Sequence, residues 1–263
     1  VSPEQPGLET NGTVVSLDGT PIAWSRIGSG PDLVMVHCVG VSRATTPQPT
    51  LANTLAEHFT VWSYDRRGKG TSGNADTYAV EREVEDLGAI IDMVGGPVTV
   101  YGFSSGATLS LIAGEAGAAI DRLVLVEPPL STDSGADREF HTEGERRLRQ
   151  GPEELLRWFQ SEVVGIPKEI LADMPPPSEQ SLRDAPSILH ELTFLPGTPA
   201  ERFSAIPQPT LLIASDASAG DMGAWGRQLA SAMIDARFMV LPGQWHEVDD
   251  ETLTTVIRDF AGD

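Results

Sequence analysis

The chain has 263 residues, 40% of them hydrophobic, enough to bury a substantial core as one large α/β domain or two small ones. Eighteen Lys and Arg stand against 38 Asp and Glu, and the net charge of −20 argues against nucleic acid or an anionic membrane surface as a partner. Cys38 is the single cysteine, so no internal disulfide and no structural zinc site can form from it alone, and no apolar run reaches the length of a membrane span.

The first residues, VSPEQPGLETNG, carry no basic region followed by a hydrophobic stretch, and the expectation is a soluble, cytoplasmic protein with no visible leader. Alternation from Thr13 to Leu17, a turn at Asp18-Gly19 and a second run from Pro21 to Ile27 predict an opening β-hairpin. The apolar run Leu33 to Val36 predicts a buried parallel strand ending in the loop His37-Cys38-Val39-Gly40. A helix near Leu51 to His58, a strand from Thr60 to Asp65 and an amphipathic helix from Ala79 to Val94 follow. Next come the strands Val98 to Phe103 and Arg122 to Val126, the latter ending at Glu127-Pro128-Pro129.

Regular alternation then stops. Residues 131–208 are charged, proline-rich and mostly helix-patterned, with GPEELLRWFQSEVV the clearest helix and Pro175-Pro176-Pro177 a bend between helices. We read this stretch as a helical cap, one continuous unit on a core made of residues 1–130 and 209–263. Alternation returns with Thr210 to Ala214, a helix near Ala224 to Met233, Arg237 to Leu241, a loop from Gly243 to Val248 and a terminal helix from Asp250. Such alternation implies a mostly parallel sheet covered on both faces, with active groups on loops at the strands' carboxyl ends.

The stretch VTVYGFSSGATL holds the strongest chemical signal, because a β-branched run passes through Gly102-x-Ser104-x-Gly106 straight into a helix-like segment. A serine hydroxyl becomes a useful nucleophile when a sharp turn exposes it beside a base and near oxyanion donors. Gly102 and Gly106 remove side chains that would collide as the strand reverses. The backbone N–H of Ser105 falls in the first helical turn, where free donors and the helix dipole favour negative charge. LPGQWHEV supplies a loop histidine, His246, after the last strand, and the order of serine before histidine suits this elbow. His37, His58, His141 and His190 have weaker claims, since they end a strand, lie on a surface helix or belong to the cap. Gly68-Lys69-Gly70-Thr71-Ser72-Gly73 matches a dinucleotide fingerprint, but no helix opens directly after it. We read it as a tight turn, with Arg66 and Arg67 structural or exposed. No phosphate loop or metal-ligand spacing appears, and no cofactor is expected.

Together the His37-x-x-Gly40 loop, Asp65-Arg66-Arg67-Gly68-x-Gly70-x-Ser72, the Ser104 elbow and Pro242-Gly243-x-x-His246 resemble the α/β-hydrolase family along nearly the whole chain. The resemblance implies an eight-stranded sheet and an oxyanion hole built from the N–H groups of Val39 and Ser105. Cys38 departs from the glycine many members have there. In most members the acid of the triad follows the strand corresponding to TLLIA, a few residues beyond a glycine that is Ser215 here; that spacing lands on Ser218, with Asp216 too early and Asp221 too late. In a minority the acid follows the strand after the elbow, where Glu127 stands. Glu127 is preferred and Asp216 is kept as the alternative.

Serine, histidine, carboxylate and two backbone donors support acyl transfer to water, with a carboxylic ester or lactone of a small apolar molecule as substrate. Gly-x-Ser-Ser-Gly-Ala with a glutamate after the next strand is also similar to the zearalenone-type lactone hydrolases. Thioester or carbon–carbon hydrolysis, cofactor-free haloperoxidase chemistry and noncatalytic small-molecule binding are the alternatives. Trp158, Phe159, Phe194, Leu195 and Trp225 are the apolar candidates for pocket walls, each also a candidate for plain packing.

Overall fold

The computed structural model of the protein describes residues 9–75, 77–131, 136–218 and 222–262. Successive side chains of a strand point to opposite faces, so a central strand needs apolar cover on both sides. In β3 (Asp32–Val36), Leu33 and Met35 join one buried cluster and Val34 and Val36 the other. β5 (Val98–Phe103) divides the same way, with Val98 and Val100 on one face and Tyr101 and Phe103 on the other. β6 (Ile120–Val126) and β7 (Thr210–Ser215) repeat the pattern.

With β1 (Thr10–Val15), β2 (Pro21–Ile27), β4 (Thr60–Tyr64) and β8 (Ala236–Leu241), these strands form an eight-stranded sheet in the order β1-β2-β4-β3-β5-β6-β7-β8. β2 runs antiparallel to both β1 and β4, and the other pairings are parallel. The opening hairpin differs slightly from expectation: β1 begins at Thr10 and ends at Val15, and Ser16 closes the turn, its N–H donating to the Thr20 carbonyl and its carbonyl accepting from the Gly19 N–H, each at 2.9 Å. α1 (Leu51–Leu55) and α10 (Asp250–Gly262) cover one face through Leu51, Leu55, Leu253 and Ile257. α2 (Val80–Val94), α3 (Ser105–Glu115) and α9 (Met222–Ala232) cover the other through Leu87, Ile90, Leu109, Ile112 and Leu229. After β3 the chain steps to β4 on one side and then to β5 on the other, and this reversal opens a crevice at the strands' carboxyl ends. Among the described residues, no helix is long and apolar enough to cross a membrane.

Between β6 and β7 lie α4 (Ala136–Leu148), α5 (Pro152–Trp158), α6 (Lys168–Asp173), α7 (Glu179–Asp184) and α8 (Ile188–Phe194). The proline run sits in the bend between α6 and α7. The expected single helix over GPEELLRWFQSEVV divides: after Trp158 it widens into a π-helical turn, Phe159–Val163. Ser161 Oγ donates to the Arg157 carbonyl at 2.9 Å, competing with the α-helical ladder there. Trp158 and Phe159 both reach inward to a separate cluster with Leu155, Ile188 and Leu192.

Charges join this insertion to the sheet. Arg66 and Arg67, adjacent on the loop after β4, are fully buried and structural. They meet Glu83 and Asp86, three positions apart on the inner face of α2, each in a two-pronged pair at 2.6–2.8 Å. Lys69 from the same loop reaches Glu191 of α8 at 2.7 Å, and Arg66 reaches the same oxygen at 2.9 Å, with all three side chains sealed from solvent. In the glycine-rich turn Gly68 N–H bonds the Gly73 carbonyl at 2.8 Å, closing a loop that presents buried cations.

Removing one member of a sealed charge cluster strands the others, whereas an exposed pair is worth little. Glu191→Gln is therefore expected to lower unfolding stability in urea by about 3 kcal/mol. Glu153→Gln, which breaks an exposed pair with Arg157, is expected to change it by less than about 0.5 kcal/mol.

Candidate active site

β5 ends at Phe103 and α3 begins at Ser105, so the chain reverses at Ser104, with φ 53° and ψ −124°. The reversal is possible because the flanking positions are bare. A Cβ on Gly102 would stand 2.6 Å from Ala107 Cα, and one on Gly106 would stand 2.2 Å from the Val36 carbonyl oxygen. Ser104 still belongs to the sheet's hydrogen bonding, its N–H donating to the Val126 carbonyl at 2.8 Å. The same extension recurs one strand further on, where the Glu127 N–H donates to the Ile213 carbonyl at 2.9 Å. Ser104 and Glu127 thus sit directly beyond the carboxyl ends of neighbouring strands.

His246 arrives from a different element. The stretch after β8, expected to be a loop, is a small hairpin in which β9 (Gly243–Gln244) pairs with β10 (Glu247–Val248) and His246 occupies the turn at φ 55°. Ser215 Oγ donates to the Gln244 carbonyl at 2.6 Å and ties this hairpin to the end of β7. Phe103 and Trp245 flank the imidazole, with ring centroids 4.7 and 5.4 Å away. His246 Nδ1 forms a close hydrogen bond with Glu127 Oε2. The other oxygen, Oε1, accepts from the Ser215 N–H at 2.8 Å and from Ser218 Oγ at 2.5 Å. Burial alone would raise the Glu127 pKa, but hydrogen bonds from His246 and Ser218, the nearby imidazole charge and the Ser215 N–H outweigh it and hold the carboxyl below its ordinary value. An ionised carboxylate only accepts, so Nδ1 carries the proton and Nε2 is left as the basic nitrogen.

The alternative acid is engaged elsewhere. Asp216 is exposed, and its Oδ1 accepts from the Gly243 N–H at 3.0 Å. Asp221 lies outside the described residues. Ser215 and Ser218 carry roles that residue types alone did not disclose, although Ser218 stands where the usual acid spacing falls.

On the other side of Ser104, the missing Cβ of Gly106 lets the start of α3 press against the start of the 37–40 loop, which carries Val39. Arg66 Nη1 donates to the His37 carbonyl at 3.2 Å, and Val39 packs against the cluster of the inserted helices. Cys38 is buried, and burial pushes its thiol up to about 12, which keeps it protonated and unreactive. Of the apolar wall candidates, Trp158 and Phe159 belong to the cluster of the insertion, while Phe194, Leu195 and Trp225 pack on the main core. All five are engaged in packing.

A strand–turn–helix serine, with a carboxylate-held histidine beyond a mostly parallel eight-stranded sheet, defines the α/β-hydrolase class. The chain belongs to the alpha/beta hydrolase family, whose model matches residues 33–253. An alpha/beta hydrolase from Sphaerobacter thermophilus is 38% identical in sequence, with a TM-score of 0.85, over 95% of this chain and 100% of that one. The Bacillus subtilis hydrolase YraK is 35% identical over 105 residues, and the match spans only 38% of the length of each protein. A thermophilic esterase from Thermogutta terrifontis shares the fold at 19% identity, with a TM-score of 0.76 over 96% of this chain and 98% of that one.

Burial lowers the pKa of His37 to about 4, and that of His190, stacked on Tyr78 at 4.1 Å, also to about 4. Both titrate near 6.5 when unfolded, so between pH 6.5 and about 4 the unfolded chain binds more protons than the folded one. Stability is therefore expected to fall as pH drops through that window. Glu83, held at about 2, adds its loss as pH falls from its ordinary value of about 4.5 to about 2. Urea midpoints measured at pH 7 and pH 5 should differ, and His37→Asn should flatten part of that difference.

Proposed function

We propose that the protein is a serine hydrolase that cleaves a carboxylic ester or lactone of a small apolar molecule, with Ser104 as nucleophile, His246 as base and Glu127 as acid. The observation that carries this reading is one of backbone strain. Among the described residues, the non-glycine positions with φ in the left-handed region are Ser104, Glu127 and His246. Such conformations cost about 1–3 kcal/mol each and persist where the surrounding structure enforces them, commonly at reactive sites. They fall on the three residues that acyl transfer requires.

In the proposed reaction His246 Nε2 takes the proton of Ser104 Oγ as the oxygen attacks the carbonyl carbon. The N–H groups of Ser105 and Val39 receive the charge that forms on the carbonyl oxygen. Glu127 stabilises the imidazolium through Nδ1. The proton then passes to the departing alkoxide, and water repeats the sequence to release the acid. With a lactone the alcohol and acid remain one molecule. The esterase among the similar structures and the family membership support hydrolysis. The glutamate after the next strand, on which the sequence's resemblance to zearalenone-type enzymes rests, leans toward lactones.

A panel of esters, lactones and thioesters tests the reading. Ser104→Ala is expected to lower kcat/KM at least about 10³-fold, and Glu127→Gln by a similar factor, since the amide reverses the hydrogen bond that sets the tautomer. Asp216→Asn should stay within a few fold. A fluorophosphonate probe should label wild-type Ser104 and leave Ser104→Ala untouched. An unlabelled wild type that binds small molecules tightly would instead mark a noncatalytic receptor.

A further inference from the structure

Resting on that reading, we propose that Ser218 is a positioning residue for the reaction, a hydroxyl bridge that holds the acid and the base in register. Ser218 Oγ donates to Glu127 Oε1 at 2.5 Å and accepts from the backbone N–H of His246 at 3.1 Å. Each link constrains a different partner. The first closes off the oxygen of Glu127 that does not face the imidazole, so that Oε2 is presented to Nδ1. The second holds the backbone of a residue whose φ of 55° it would otherwise relax away from.

The chemistry of the two neighbours selects the residue type. A carboxylate only accepts and a backbone N–H only donates, so the group between them must do both at one atom. A hydroxyl does so. An aspartate at this position, where most family members carry the acid, would bring a second negative charge against Glu127 and raise the pKa of one of the pair. With the acid on the neighbouring strand, a serine fits the place between them. Asp216 makes no such bridge, since its carboxylate accepts from Gly243 on the far end of the hairpin.

Threonine and valine have nearly the same shape, so Ser218→Thr and Ser218→Val separate the hydroxyl from packing. The valine variant is expected to lose about 10- to 100-fold in kcat relative to the threonine variant, with KM unchanged, as one hydrogen bond to a charged group is removed. In proton NMR the strongly deshielded Nδ1–H signal of His246 should persist in the threonine variant and broaden or vanish in the valine variant at the same pH. Melting curves verify that both are folded, and Ser218→Ala provides a smaller substitution if either is not. Equal kcat in the threonine and valine variants, with Glu127→Gln still inactive, would overturn the role of Ser218 and leave the triad intact. Full turnover by Glu127→Gln would remove the triad reading itself.

Discussion

Everything at the site depends on the parallel ladder of backbone hydrogen bonds continuing one residue beyond the ends of the strands. Ser104 N–H bonds Val126, Glu127 N–H bonds Ile213, and Asp216 N–H bonds Leu241, so three consecutive strands each deliver one polar residue to the same rim. Neighbouring strands lie about 4.8 Å apart. That spacing brings the Glu127 carboxylate within reach of a histidine that also lies over Phe103, the residue preceding the serine. The ladder therefore sets geometry that no loop could hold alone, and the loops add only the last turn of the chain.

The strain this arrangement stores is offset by the burial around it. α3, which begins at the elbow, is buried from Ser105 to Gly114. The sheet's two apolar clusters flank the strands that carry the site. A rigid surround of this kind lets left-handed backbone persist at Ser104, Glu127 and His246, where an isolated peptide would relax. Stability given up at a few positions is exchanged for preorganisation of the charges that move in the proposed reaction.

The second organising feature is electrostatic. Arg66 contacts the His37 carbonyl, Glu83 of α2 and Glu191 of α8, so one side chain joins the 37–40 loop, the sheet's covering helix and the inserted helices. Sealed ion pairs rarely add net stability compared with apolar packing, but their geometry is specific. Here they register the insertion over the loop that carries Val39.

The succession of strands and helices along the chain, the elbow and its reversal at Ser104 were legible in the sequence because they depend on local rules: β-branched runs, bare glycines and the period of apolar residues. His246 was legible as a polar loop residue after the last strand, though its hairpin was not, since a ladder two residues long on each side leaves almost no periodicity. Glu83 and Asp86 left a faint signal, falling on the same helical stripe as Leu87 and Ile90, yet nothing local could pair them with Arg66 and Arg67. Between Glu127 and Asp216 the sequence preferred Glu127 but kept Asp216 as the alternative, because both follow a buried strand. Only the tertiary structure separated them, by turning one carboxylate onto the imidazole and the other onto the Gly243 N–H. The physical reason is that element type is a property of neighbouring residues, whereas partnership between a carboxylate and a histidine 119 positions away depends on strand order and on the direction each side chain takes from its backbone.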